Sequence, residues 1–159
     1  MTYLIEPATD EGGHAQAVRM LRQLLGREAT VEHTPAGVPY VAELPEIHIS
    51  ISHCRTAVAV AVDTEGAVGI DVEGCRKVSP ALVKRVCSPS ELAAVEASEE
   101  PVMEFLRLWT RKEATLKCRG TGIRGWSSIV AALADGGVEV REVPCTVADT
   151  VAAVATMAG

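Results

Sequence analysis

The sequence predicts an α+β fold, with elements in the order helix, strands, helices, strands. Two segments, Gly12–Gly26 and Pro101–Arg119, carry apolar residues three or four positions apart, which is typical of amphipathic helices. Between residues 47 and 73, and again after residue 128, shorter apolar or alternating runs are separated by turn residues, as in strands. This order suggests two lobes that meet near residues 66–71, each with a helix packed on an antiparallel sheet.

In the N-terminal half, one helix is followed by four strands. The helix spans Gly12–Gly26, and Gly26 is suited to end it because glycine readily adopts the left-handed conformation. Short connections join the last three strands, which predicts an antiparallel meander. The four predicted strands are Val31–His33, Ile47–Ile51, Ala57–Val62 and Ala67–Glu73.

The C-terminal half is predicted to hold three helices and three strands. Ser88, Pro89 and Glu91 fit a capping box that opens a helix, since serine caps the first turn and the glutamate reaches back to it. The other predicted elements are a helix from Ser79 to Val86, a long helix over Pro101–Arg119 closed by Gly120, a hairpin of Ser128–Leu133 and Val138–Val143 around Asp135-Gly136-Gly137, and a last strand over Thr150–Met157.

Composition limits the class of protein. The 159 residues, 48% hydrophobic and 23% charged, predict one compact domain over residues 1–159, with lobes of about 1–66 and 67–159. The N-terminus lacks a basic region followed by an apolar run, so we expect a cytoplasmic protein without a membrane anchor. Five cysteines without C-x-x-C spacing predict neither a zinc site nor a disulfide framework.

Charge is unevenly distributed along the chain. The net charge of −6 argues against nucleic acid as a partner. Between Arg76 and Arg124, however, there are ten basic and six acidic residues, so this segment carries a net charge of 10 − 6 = +4. It is either a set of solvated helix faces or a surface for an acidic protein or polyphosphate.

Carboxylates on two elements indicate a divalent cation. Asp71 and Glu73 project from the same face of a strand, because strand side chains alternate sides. Glu113 and Lys117 are four residues apart on the long helix and share one side of it. Surface charges or a helix ion pair would explain the same residues. Three oxygen ligands with open positions, however, suit Mg²⁺ bound to a phosphate-containing substrate.

The motifs around these residues resemble those of the 4'-phosphopantetheinyl transferases. Segment 69–73 reads GIDVE and matches the family pattern G-I-D-x-E, while segment 109–122 matches W-x-x-K-E-A-x-x-K-x-x-G-x-G without a break. Segment 50–53, SISH, and segment 37–40, GVPY, match two further family elements. The order and spacing are similar to the two-lobed, surfactin-synthetase-activating type, shortened, rather than the short trimeric type.

The resemblance implies two pseudo-symmetric lobes and Mg²⁺-dependent transfer of 4'-phosphopantetheine from coenzyme A to a serine of an acyl or peptidyl carrier protein. The other product would be 3',5'-adenosine bisphosphate, the carrier protein would be acidic, and a monomer would suffice because one chain holds all the motifs. It implies Mg²⁺ ligands Asp71, Glu73 and Glu113, catalytic residues Glu113 and Lys117, and coenzyme A contacts Ser52, His53, Lys112 and Lys117.

Some positions depart from the family pattern. Val38 stands where the family often has a lysine directed to the nucleotide, so one phosphate contact is missing. The region before Gly37 is also shorter, and a basic contribution from it would have to come from Arg19 or Arg22. These departures leave open a binding module of the same fold without catalysis. A phosphohydrolase that releases free phosphopantetheine is a third possibility.

Overall fold

The computed structural model describes residues 1–122, 124–134 and 136–158. Its antiparallel sheets and packed helices confirm the α+β class. The elements are β1 (Thr2–Pro7), α1 (Gly13–Leu25), β2 (Val31–His33), β3 (Pro39–Val41), β4 (His48–His53), β5 (Ala57–Asp63), β6 (Val68–Gly74), α2 (Pro80–Val86), α3 (Pro89–Ala97), α4 (Pro101–Cys118), α5 (Trp126–Ala131), β7 (Val138–Glu142) and β8 (Thr150–Met157).

The strands form two sheets, and this division corrects the predicted meander. The first sheet has the order β1-β5-β4-β3-β2 and the second β6-β8-β7. β5 and β6 follow each other along the chain but are not paired, because both edges of β5 are already occupied by β1 and β4. β1 was not among the predicted strands, and without it one edge of β5 would be free to pair with β6. β6 pairs instead with β8, the last strand.

Alternation along β5 explains how one strand serves two cores. Val58, Val60 and Val62 pack with Met20 and other residues beneath α1. The alanines at 57, 59 and 61 lie on the opposite face, in a cluster that also contains residues 70 and 72 of β6. Because strand side chains alternate, the large residues fill the helix side while the small ones let the two sheets approach.

The edge of β6 meets the face of β4 through two serines. The hydroxyls of Ser50 and Ser52 accept the backbone N–H groups of Ile70 and Val72, at 3.0 and 3.3 Å. These N–H groups would otherwise be buried without a partner, which is unfavourable. The serines therefore fix the strand that carries Asp71.

Helix α4 approaches β6 unusually closely at Gly69. A Cβ atom at this position would lie 1.9 Å from the carbonyl oxygen of Ala114 and 2.7 Å from the amide nitrogen of Cys118. Only glycine fits there, so the first residue of the GIDVE segment brings α4 against the strand. Helix α4 also packs on β8 and β7.

The predicted helices α1 to α4 are confirmed, and so is the capping box of Ser88 and Glu91. The predicted strand over Ser128–Leu133 is wrong, because α5 occupies Trp126–Ala131 and its Ile129 packs against α4. A short apolar run fits a buried strand and a buried helix equally well. Of the predicted hairpin, Val138–Glu142 is a strand, while Asp135 lies outside the described residues.

Residues 2–63 supply the first sheet and residues 68–157 the second. The division of the chain into lobes at residue 66 stays a prediction. Among the described residues, every helix is too short or too polar to cross a membrane.

Candidate active site

Asp71 of β6 is the most buried carboxylate of the predicted site. Its Oδ1 accepts hydrogen bonds from Lys117 Nζ and from Ser52 Oγ, both at 2.8 Å. Its Oδ2 is buried and has no hydrogen-bond partner. Burial raises the pKa of the Asp71 carboxyl, while Lys117 and Ser52 act in the opposite direction. Asp71 thus presents one engaged oxygen and one that is free to bind a cation.

Lys117 of α4 connects both sheets at this point. Its ammonium group donates to the carbonyl oxygens of Ile70 on β6 at 3.0 Å and of Ile51 on β4 at 3.3 Å, besides its bond to Asp71. The side chain is about 29% exposed, so it still faces solvent. Lys117 is therefore a fixed positive charge at an accessible surface.

Glu113 lies one turn before Lys117 and completes the acidic group. Its Oε1 is buried without a partner. The pKa of Glu113 is raised to about 7, chiefly by burial and also by the nearby charges of Asp71 and Glu73, while Lys117 acts in the opposite direction. A carboxyl with this pKa exchanges its proton near neutral pH, as a general base requires.

Glu73 is turned toward a different partner. Its two carboxylate oxygens accept from the Nε and Nη2 of Arg76, at 3.2 and 3.3 Å. In the described part of the chain, no three His, Cys, Asp or Glu residues form a group able to hold a metal ion. The structure thus brings Asp71 and Glu113 together as unpartnered oxygens and leaves Glu73 in an ion pair.

Ser52 and His53 end β4 beside this group. Ser52 is buried, and its hydroxyl is engaged with Asp71 and with the backbone of β6. His53 is exposed, and its ring lies against the backbone of Gly13, where a Cβ would come within 2.6 Å of the ring. Ser52 therefore has a structural role in this arrangement, and His53 is open to a ligand.

Lys112 does not lie with the other predicted coenzyme A contacts. It is fully buried, and its ammonium group donates to Glu91 Oε2 at 2.8 Å and to the carbonyl oxygens of Val86 and Val130 at 3.0 Å each. Three acceptors use all three donors of the ammonium. Adjacent helix residues point in different directions, and Lys112 faces α2, α3 and α5, so its ammonium group has no free donor for coenzyme A in this arrangement.

A cleft of about 280 Å³ opens beside Lys117. Its lining includes His53, a predicted coenzyme A contact, together with two histidines that were not predicted from the sequence, His14 of α1 and His33 of β2. Their spacing in the sequence gave no signal, since only the packing of α1 on the sheet that contains β2 brings them together. The segment around Val38 and the glycines after α4 complete the walls.

Comparison with known proteins gives the class of this chain. The sequence profile of the 4'-phosphopantetheinyl transferase superfamily matches residues 67–146, half of the chain, and includes β6 and α4. The chain belongs to this superfamily, as the motifs predicted.

The chain is also similar to individual proteins named as 4'-phosphopantetheinyl transferases. The chain is 36% identical over 119 residues to the 4'-phosphopantetheinyl transferase psf-1 of Bacillus pumilus, covering 70% of this chain and 51% of the relative. It is 34% identical over 89 residues to Sfp of Bacillus subtilis strain 168, covering 55% and 39%. It is 34% identical over 119 residues to AcpT of Escherichia coli K12, covering 66% and 60%. The chain thus spans about half the length of the curated relatives it matches.

Proposed function

We propose that this chain transfers the 4'-phosphopantetheine group of coenzyme A to a serine of an acyl or peptidyl carrier protein and releases 3',5'-adenosine bisphosphate. One observation supports this most strongly. The buried, unpartnered oxygens of Asp71 and Glu113 lie beside the fixed ammonium of Lys117, which also lines the cleft. Such a mixture of free carboxylates and a cation suits a pyrophosphate bound with a metal ion.

The donor set fits Mg²⁺. Asp71 Oδ2 and Glu113 Oε1 are hard oxygen donors without a partner, and a divalent cation would remove the cost of burying them. Glu73 would join them after releasing Arg76. Bound there, Mg²⁺ would supply positive charge to the pyrophosphate and its developing negative charge.

The side chains of the site account for the remaining steps. Lys117 and His53 would bind and orient the pyrophosphate in the cleft. Glu113, directly or through a water molecule, would take the proton of the carrier serine, since its pKa of about 7 allows this at neutral pH. The serine oxygen forms a bond to the phosphorus that carries pantetheine, and the bond from that phosphorus to the bridging oxygen breaks.

The partner would be an acidic carrier protein, received by the basic segment between Arg76 and Arg124. Because coenzyme A and carrier proteins are intracellular, the proposal places the chain in the cytoplasm. The elements that bear the proposed site belong to one chain, and a monomer would be sufficient.

Mass spectrometry of a carrier protein incubated with coenzyme A and Mg²⁺ tests the proposal. The carrier should gain one phosphopantetheine group with the wild type. Asp71→Asn and Glu113→Gln should each lower the rate by about a hundredfold or more, because a ligand or base is lost. Glu99→Gln makes the same change from acid to amide at an exposed position, and it should leave the rate unchanged.

Other products would distinguish the alternatives. Free phosphopantetheine without modified carrier would indicate hydrolysis, and binding of coenzyme A without any product would indicate a binding module. Near wild-type transfer by both site variants at limiting Mg²⁺ would refute the assignment of these carboxylates.

A further inference from the structure

An arginine holds one carboxylate of the acidic group away from the other two. Arg76 follows β6, and its Nε and Nη2 donate to the two carboxylate oxygens of Glu73, at 3.2 and 3.3 Å. Both oxygens of Glu73 are therefore engaged, whereas Asp71 and Glu113 each keep a buried oxygen without a partner. The acidic group is thus only partly available to a cation.

Glu73 nevertheless belongs to this group by its position. Asp71 and Glu73 are two residues apart on β6, so their side chains project from the same face of the strand. Besides burial, the charge of Glu73 contributes to the raised pKa of both the Asp71 and the Glu113 carboxyl, as expected for neighbouring groups. What separates Glu73 from the other two carboxylates is therefore the direction of its side chain, which Arg76 fixes.

The backbone around the ion pair is held in place, while the pair itself faces solvent. β6 pairs with β8 as far as Gly74, and the N–H group of Cys75 donates to the carbonyl oxygen of Asp149 at 2.7 Å. The Arg76 side chain is 41% exposed and the Glu73 side chain 17%. The pair can therefore open by rotation of side chains. Breaking an exposed pair of this kind changes a binding constant by about two- to fivefold.

A second arginine at the same place makes no such contact. Arg55 and Arg76 both line a small cavity of about 70 Å³ at the ends of β4 and β6. Arg55 is exposed, and it forms no ion pair with any residue in the described part of the chain. Two equal positive charges therefore border this end of β6, and they differ in whether they bind Glu73.

We propose that Arg76 is a positioning residue that competes with Mg²⁺ for Glu73, and that it thereby lowers the affinity of the free protein for the metal. The inference rests on the proposed function, in which Asp71, Glu73 and Glu113 hold Mg²⁺. While the ion pair is closed, the site offers a free oxygen from each of two carboxylates. Because Mg²⁺ accepts phosphate oxygens in place of protein ligands, a closed pair leaves the site to be filled by Mg²⁺ together with the pyrophosphate of coenzyme A.

Isothermal titration with Mg²⁺, without carrier protein, tests the competition. Arg76→Gln should bind Mg²⁺ about threefold more tightly than wild type. Arg55→Gln removes the same charge without breaking the pair, and its affinity should differ from that of wild type by less than about 1.5-fold at physiological salt. In a Glu73→Gln background, Arg76→Gln should have no larger effect than Arg55→Gln, because the carboxylate for which Arg76 competes is gone.

Two additions make the result independent of weak binding and of folding. The titrations are repeated with coenzyme A present, where the ratio of variant to wild-type affinity should again be about threefold. Arg76→Lys keeps the charge but loses the two parallel hydrogen bonds, so its Mg²⁺ affinity should lie between those of wild type and Arg76→Gln.

Equal Mg²⁺ affinities of Arg76→Gln and Arg55→Gln would overturn the inference, and so would an effect of Arg76→Gln that persists in the Glu73→Gln background. If the wild type transfers phosphopantetheine in those cases, the proposed function stands and only the role of Arg76 is refuted. Absence of Mg²⁺ binding by the wild type, both with and without coenzyme A, would overturn the inference as well. Together with absence of transfer, it would also refute the proposed function.

Discussion

At the scale of single residues, burial decides the chemistry of the site. Asp71 and Glu113 each keep one buried oxygen without a hydrogen bond, and this raises the pKa of both carboxyls. A carboxyl whose pKa is raised by folding destabilises the folded state wherever it must ionise. The two residues therefore reduce stability in the state without a bound cation.

The loss of stability caused by Glu113 depends on pH in a defined range. Its pKa is about 7 in the folded protein against an ordinary 4.5, so between these values the folded state binds more protons than the unfolded state. The free energy of unfolding of the wild type then falls as the pH rises through this range. Glu113→Gln should unfold at higher denaturant concentration than wild type at about pH 8, by on the order of 1 kcal/mol after allowance for partial exposure, with a much smaller difference at about pH 5.

Added Mg²⁺ provides the matching control for that measurement. It should stabilise the wild type at the higher pH and have little effect on Glu113→Gln, since the variant lacks a ligand. Glu99→Gln, whose side chain is exposed, should follow the wild type throughout. An equal pH dependence for wild type and Glu113→Gln would show that Glu113 is not the group that titrates.

At the scale of elements, Lys112 shows how one motif residue can serve the fold rather than the ligand. It joins the end of α2, the start of α3 and α5 to α4. Its hydrogen bond also helps to lower the pKa of Glu91, although burial, the largest single effect, acts to raise it. The lysine thus holds the helices of the second half together.

Lys112→Met should destabilise the protein by about 3 kcal/mol, because it leaves the Glu91 carboxylate without its cation and two carbonyl groups without a donor. Lys77→Met, the same chemical change at an exposed position, should alter the free energy of unfolding by less than about 0.5 kcal/mol. Thermal unfolding measures both. The apparent KM for coenzyme A of the folded Lys112 variant should remain near that of wild type, and a large increase in KM without loss of stability would restore Lys112 as a ligand contact.

At the scale of the whole molecule, α2 presents positive charge beside an apolar groove. Lys84 and Arg85 lie exposed in the last turn of α2, and the Arg85 guanidinium stacks 4.9 Å from the ring centroid of Trp126. Lys84 also borders an apolar groove of about 250 Å³ between α2, α3 and α4. An acidic carrier helix with an apolar face would find both kinds of contact on this surface.

Lys84→Glu/Arg85→Glu should therefore lower kcat/KM for the carrier protein by about tenfold at low salt and weaken its dependence on ionic strength. Coenzyme A affinity should change little. Arg27→Glu/Arg141→Glu changes net charge equally at exposed positions outside α2 and serves as the control. If the two double variants behave alike, this face of α2 does not receive the carrier.

The sequence by itself determined four of the helices, several of the strands and the family. Periodicity predicted α1 and α4, the serine caps predicted α2 and α3, and the motif residues Asp71, Glu113 and Lys117 were found without coordinates. These features depend on neighbours within a few residues, where helix and strand geometry is fixed.

Only the tertiary structure decided how distant segments combine. It placed β1 on β5 and sent β6 to another sheet, made a helix of the Ile129 region, buried Lys112, and brought His14 beside His33. Each outcome depends on which remote segment of the chain pairs with a sheet edge or packs against a buried side chain. A local sequence pattern carries no information about such remote partners. The sequence therefore predicted which chemical groups the site could use, but not which of them come together in the fold.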